Sequence, residues 1–238
     1  MVNGEAAATE PFCALAPAQR RRMLELGPRW NDDIVGHRKA VIDCYTPILA
    51  AAPKAARVER DLAYGPHPRH VLDVFEPAGA RADAMAGALR DAVLFVHGGA
   101  FVRGSKSVNG EIYDNVCHWF ARQGCVAVNV EYRLADDAPW PGGAQDVARA
   151  LAWVGEHAGR WGIDPARIFL IGHSAGGAHA ASCLFDPALA GAASQEDVAG
   201  LVLSIVAHFN SGEEWLGREI LAFMATVPRG APANRPRA

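Results

Sequence analysis

Four apolar runs of strand length punctuate the middle and later part of the chain, at residues 92–96, 126–130, 168–171 and 201–206. None of them alternates polar with apolar side chains, so both faces of each strand are expected to be covered. The stretches between them repeat their apolar positions at helical spacing. Residues 112–122 form one such stretch. Residues 145–157 form another, with Val147, Ala150, Leu151 and Val154 on one face, and residues 175–185 read as a helix of small residues. Strands alternating with helices predict an α/β protein: a mostly parallel sheet with helices on both faces. Ligands of such sheets bind beyond the carboxyl ends of the strands.

The flanks differ. Two short runs at 58–62 and 71–75 are separated by Gly65-Pro66-His67-Pro68, a strong turn signal, and predict an antiparallel start. Residues 79–89 are rich in Ala and Gly and read as a surface excursion. Before them, residues 19–56 are polar and Ala-rich, a segment with helical stretches such as 33–45 that is interrupted by Pro47 and Pro53. After the last strand, residues 215–226 fit one amphipathic helix, and 228–238 read as a disordered end. There is no internal repeat. The expected organisation is an N-terminal helical cap segment at 1–56, an α/β core at 57–210 and a tail at 211–238.

Composition narrows the function classes. Half of the residues are hydrophobic and 21% are charged, which suits a globular core rather than a disordered or fibrous chain. A net charge of −3, with no dense basic run except Arg20-Arg21-Arg22, argues against a nucleic-acid partner. No apolar window is long enough for a membrane span. The start of the chain carries Glu5 and Glu10 and lacks a secretory pattern, so a cytoplasmic location is expected. The five cysteines (Cys13, Cys44, Cys117, Cys125 and Cys183) are scattered and read as reduced, buried groups. The nine histidines fall into no metal-binding pattern, so no metal is expected.

Two motifs carry chemistry. Gly172-His173-Ser174-Ala175-Gly176, followed by Gly177, lies directly after the run at 168–171 and directly before a helix. A strand–GxSxG–helix turn forces its serine into a strained backbone, and the glycines relieve the crowding around it. Ser174 Oγ is thereby exposed at the sheet edge, facing the first amides of the next helix. The second motif, His97-Gly98-Gly99-Ala100, follows the strand at 92–96. Its glycines let backbone N–H groups turn towards a substrate. Gly98, Gly99 and Ala175 are therefore the expected oxyanion donors. His97 reads as a loop-ordering residue rather than a base.

The pair HGG…GHSAGG, with Glu131-Tyr132-Arg133-Leu134-Ala135 after the strand at 126–130, resembles the α/β-hydrolase superfamily. Within it the chain is similar to hormone-sensitive-lipase-like carboxylesterases and kynurenine-formamidase-like esterases. Further matching segments are Ala138-Pro139-Trp140-Pro141-Gly142-Gly143-Ala144-Gln145-Asp146, Gly162-Ile163-Asp164-Pro165-Ala166-Arg167 and the leading Tyr64-Gly65-Pro66 with Leu72-Asp73-Val74-Phe75. The likeness spans residues 58–206. It implies cleavage of a small-molecule ester or aryl amide without a cofactor, with Ser174 as nucleophile and Asp146 as a loop-ordering residue. Ala100 stands where the family commonly has a third glycine.

The pattern breaks after the sixth strand. The family places its acid and histidine later, and two further strand–helix units would need about 60 residues, more than follow Val206. The chain therefore resembles a family member shortened at its C-terminus. His208, with Glu213 or Glu214, is the one local replacement for the missing base, against the plainer reading of a solvated histidine. His179 is expected to point away from Ser174. Two function classes follow: a serine esterase acting through a Ser174 acyl-enzyme, with an arylformamidase as its amide-cleaving counterpart, or a non-catalytic binding protein on the same fold. A sheet ending at its sixth strand also predicts a homodimer or poor solubility through the open edge.

Overall fold

The computed structural model describes residues 15–189, 197–204 and 215–228. Six strands form one sheet in the order β1-β2-β4-β3-β5-β6. They are β1 (Arg57–Ala63), β2 (Val71–Glu76), β3 (Arg90–Val96), β4 (Val126–Val130), β5 (Ile163–His173) and β6 (Gly200–Ser204). β1 and β2 pair antiparallel, β2 joins β4 antiparallel, and β4, β3, β5 and β6 run parallel. The four central runs anticipated from apolar continuity are all strands. Within β5, Ile163 pairs with Arg90 and Ile168 with Ala92, so residues 164–167 bulge out. The bulge is held by Ala166 N–H donating to Asp164 Oδ1 at 3.0 Å.

Because successive strand residues face opposite sides, the sheet divides its apolar set between two layers. Leu72, Val74, Leu94, Val128, Ile168 and Leu170 meet α5 (Gly142–Glu156) and α6 (Ala175–Phe185). Phe75, Val93, Phe95, Ala127, Phe169 and Ile171 meet the other side. That side is built from α1 (Pro17–Leu26), α2 (Ile34–Ala51), α4 (Asp114–Arg122) and α7 (Trp215–Thr226). α1 and α2 contribute Met23, Cys44, Tyr45 and Leu49 to the same apolar cluster as α4, so the N-terminal segment is part of one face of the sandwich.

Four local expectations are corrected. Pro47 does not interrupt its helix but lies inside α2, where burial of Cys44, Tyr45 and Leu49 holds the helix through the lost N–H bond. The excursion at 79–89 contains a short helix, α3 (Ala80–Met85). α4 starts at Asp114 rather than 112, because Tyr113 has φ 75° and cannot continue a helix. α5 starts at Gly142, three residues early. The tail helix falls at the residues its periodicity gave, with Ile220 and Met224 buried. The predicted disordered end and the last two residues of the sixth run lie outside the described residues. Among the described residues β6 is the edge strand on the parallel side of the sheet; Phe223 lies over Gly200, while Leu203 is exposed. No described helix is long and apolar enough to cross a membrane.

Candidate active site

β3 and β5 are neighbours, and their carboxyl ends bring the two motifs together. Ser174 sits between β5 and α6 with φ 52° and ψ −120°, a backbone that a non-glycine residue adopts only under constraint. Its side is open to solvent, while His173 and Ala175 on either side are buried. Two glycines make the turn sterically feasible. A Cβ on Gly172 would stand 2.5 Å from Gly177 Cα, and one on Gly176 would stand 2.3 Å from Val96 O. Ser174 N–H donates to Ser204 O at 2.7 Å, fixing the serine to the end of β6. The amides of Gly177 and Ala178 donate back to Ser174 O, at 2.8 and 3.3 Å. The Ala175 and Gly176 amides, at the first turn, have no carbonyl within the helix to meet.

Gly98 packs directly on this turn. A Cβ there would lie 2.7 Å from His173 Nδ1 and 3.1 Å from Ser174 Cβ. Gly99 is forced by a different contact, since a Cβ would fall 1.7 Å from Arg103 O. The next two residues, Ala100 (φ 53°) and Phe101 (φ 68°), are left-handed without being glycine. Ala100 is solvent-exposed, so its methyl points into no packed wall. The Gly98 N–H faces the hydroxyl of Tyr113. Burial raises the pKa of that phenol, against the pull of the Arg38 charge and the Gly98 amide.

His97 is buried with both ring nitrogens engaged. Nδ1 lies 2.8 Å from Gly98 O and Nε2 2.8 Å from Glu131 Oε1. Its ring stacks on Tyr132 with centroids 4.3 Å apart, and Tyr132 donates its hydroxyl to His97 O at 2.9 Å. Arg69 bridges Glu131, Tyr132 O and Gly104 O. Asp146 is fully buried and accepts from Arg133 N–H at 2.9 Å, from the Arg133 guanidinium and from His70 Nε2 at 3.0 Å. Both histidine and aspartate thus face the loops rather than Ser174. His179 is buried edge-on against Tyr132 and Phe101. Burial, reinforced by the neighbouring His97, lowers its pKa to about 4. His173 is likewise lowered to about 4 by burial, then by His97 and Arg38.

Among the described residues no histidine hydrogen-bonds Ser174 Oγ. His208, Glu213, Glu214 and Glu196 lie outside the described residues. Asp186 closes the far end of α6, about 18 Å from Ser174 by the helical rise from the first cap to the last. Among the described residues no group of His, Cys, Asp and Glu could hold a metal ion. Arg38 and Tyr113 belong to no sequence motif, and only the fold brings α2 and the loop before α4 to this edge.

A serine on a strained strand-to-helix turn at the carboxyl edge of this mixed sheet defines an α/β-hydrolase fold. The chain is similar to an esterase from the planctomycete Thermogutta terrifontis, at 26% identity and TM-score 0.51 over 61% of this chain and 52% of that one. The same esterase has been solved phosphoramylated by tabun. A BD-FAE family model matches residues 72–192, half of the chain, and the chain belongs to that family. Among curated proteins it is 42% identical over 90 residues to Lipase 2 of Moraxella sp., covering 38% of this chain and 20% of that protein. It is 34% identical over 134 residues to Esterase LipC of Mycobacterium tuberculosis, covering 56% and 31%. The chain spans less than a third of these curated relatives.

Proposed function

We propose that the protein is a serine esterase cleaving small carboxylic esters. The observation that carries this reading is the strained backbone of Ser174, held between β5 and α6 with Gly98 packed on its Cβ. In this reading the turn is a nucleophile elbow. Ser174 Oγ attacks the ester carbonyl, and the N–H groups of Ala175 and Gly99 stabilise the oxyanion at the positive end of α6, whereas the Gly98 N–H, expected to join them, is turned to the Tyr113 hydroxyl. The serine proton passes through solvent to the leaving oxygen, which departs as the alcohol, and water then releases the acid from the acyl-enzyme and restores the serine hydroxyl. His97 and Asp146 hold the two loops. The reaction needs no cofactor. The similarity to Lipase 2, Esterase LipC and the tabun-reactive esterase supports an ester substrate. Among the described residues four cysteines are buried and unpaired, which supports a reducing, cytoplasmic setting.

The experiment is labelling of the full chain with a fluorophosphonate probe. Ser174 is expected to be labelled and Ser174→Ala to be silent; equal labelling of the two would overturn the reading. The absence of a histidine bonded to Ser174 among the described residues favours a second reading, a binding protein on the hydrolase fold. Turnover of p-nitrophenyl acetate no faster than that of Ser174→Ala would select it. A serine lacking its base still retains some acceleration from its oxyanion donors, so the two rates are compared quantitatively.

A further inference from the structure

Three polar groups, grouped around the residue before Ser174, have hydrogen-bonding capacity left over. The first is His173, only 8% exposed, whose Nδ1 has no partner. Such a buried orphan costs stability unless something fills it. It lies on the same wall as Gly98 and Ser174. The second is the Tyr113 hydroxyl, on a ring 5.7 Å from that of His173. Tyr113 is held there by a left-handed backbone that a bulky residue rarely takes.

The third is Arg38. α2 is fixed against the loop that carries Tyr113: Asn109 Nδ2 donates to Thr46 Oγ1 at 2.8 Å, and Cys44, Tyr45 and Leu49 share one apolar cluster with Tyr113. Two turns earlier on the same helix, the Arg38 guanidinium faces Tyr113 and bears on His173. The arginines that build the scaffold each hold a carboxylate: Arg60 with Asp73, Arg69 with Glu131 and Arg133 with Asp146. Arg38 has no carboxylate partner among the described residues.

The guanidinium and the phenol are donors, the unpartnered imidazole nitrogen beside them becomes one in its Nδ1–H tautomer, and a carboxylate is the group that accepts from several donors at once. We propose that Arg38, the Tyr113 hydroxyl and His173 Nδ1 form a subsite that selects esters whose acyl chain ends in a carboxylate, such as half-esters of short dicarboxylic acids. The subsite rests on the esterase reading of Ser174. The chain between the two carbonyl carbons must be short, because Gly98 touches Ser174 on one side and Tyr113 on the other. The fork of Arg38 fits a carboxylate in a way that an ammonium does not.

The test has a binding arm and a kinetic arm. By calorimetry, wild-type protein is expected to bind monomethyl succinate about tenfold or more tightly than dimethyl succinate, and Ser174→Ala to keep that preference. In turnover, the ratio of kcat/KM for mono-p-nitrophenyl succinate over p-nitrophenyl acetate is expected to fall about tenfold or more in Arg38→Gln. Arg38→Lys should restore part of it and Tyr113→Phe should lower it less. A melting curve of each variant shows that it is folded. Equal binding of the two succinates by wild type, or an unchanged ratio in Arg38→Gln, overturns the subsite. Ser174-dependent turnover without a preference rejects the subsite alone, whereas carboxylate binding without Ser174-dependent turnover rejects the esterase reading alone.

Discussion

Gly176 offers a quantitative probe of how the elbow is packed. A Cβ added there would stand 2.3 Å from Val96 O and 2.4 Å from His97 O. Both are backbone atoms at the end of β3 and cannot rotate aside. To reach an ordinary C···O contact, the first turn of α6 must retreat by about 1 Å. Overpacking costs about 1–3 kcal/mol, and two rigid contacts put Gly176→Ala at the upper end, about 3 kcal/mol. Its neighbour supplies the control. At Gly177 the nearest atom would be Gly172 O at 3.3 Å, and alanine inside a helix gains about 1 kcal/mol over glycine. Gly177→Ala should therefore melt within about 1 kcal/mol of wild type. Gly176→Ala should melt roughly 6–12 °C lower, at about 2–4 °C per kcal/mol for a chain of this size. The same retreat moves the Ala175 amide relative to Gly98, so fluorophosphonate labelling of Ser174 should slow by about 10²-fold. Equal melting temperatures for the two variants, with wild-type labelling in both, would refute the packing argument.

Other expectations follow from the loops and the buried histidines. Asp146→Ala strands His70 and the partly exposed Arg133, and should cost about 3 kcal/mol in urea unfolding, whereas breaking the exposed Arg29–Asp32 pair should cost less than about 0.5 kcal/mol. Similar losses for both would contradict the network. His118, His173 and His179 are each lowered to about 4 by burial, so the unfolded chain binds more protons than the folded one between about 6.5 and 4. Stability is then complete above pH 6.5 and declines as the pH falls towards 4. His118→Asn, which keeps an acceptor for the Ala55 amide, should flatten that slope, and an unchanged slope would exclude His118 as a contributor. With Leu203 exposed on the outer described strand, sedimentation velocity should show self-association that Leu203→Lys abolishes; a concentration-independent monomer would exclude it.

The layers of the fold were legible because β3, β4 and β5 are apolar on both faces, a pattern that only a doubly covered sheet requires. The serine turn was legible because three of its positions tolerate no side chain: Gly98, Gly172 and Gly176 each meet backbone or a catalytic-edge residue at less than ordinary contact distance. What stayed hidden depends on tertiary neighbours. Pro47 carries a local helix-breaking signal that packing of its flanks overrides. His70 is the partner of Asp146 across seventy-six positions, and Glu131 joins His97, Arg69 and Lys106 from three separate segments. Arg38 and Tyr113 belong to no chemical motif, and only the docking of α2 beside the loop at 109–113 gives them a common address.

The bond from Ser174 N–H to Ser204 O ties the serine's backbone to the outermost described strand rather than to the sheet's centre. In deuterium exchange its amide is released only when the end of β6 frays, while that of Leu170, two-sided in the middle of β5, waits for a much larger opening. The serine therefore keeps the clock of its neighbour strand, and a ligand that steadies β6 will slow exchange at Ser174 without touching its hydroxyl.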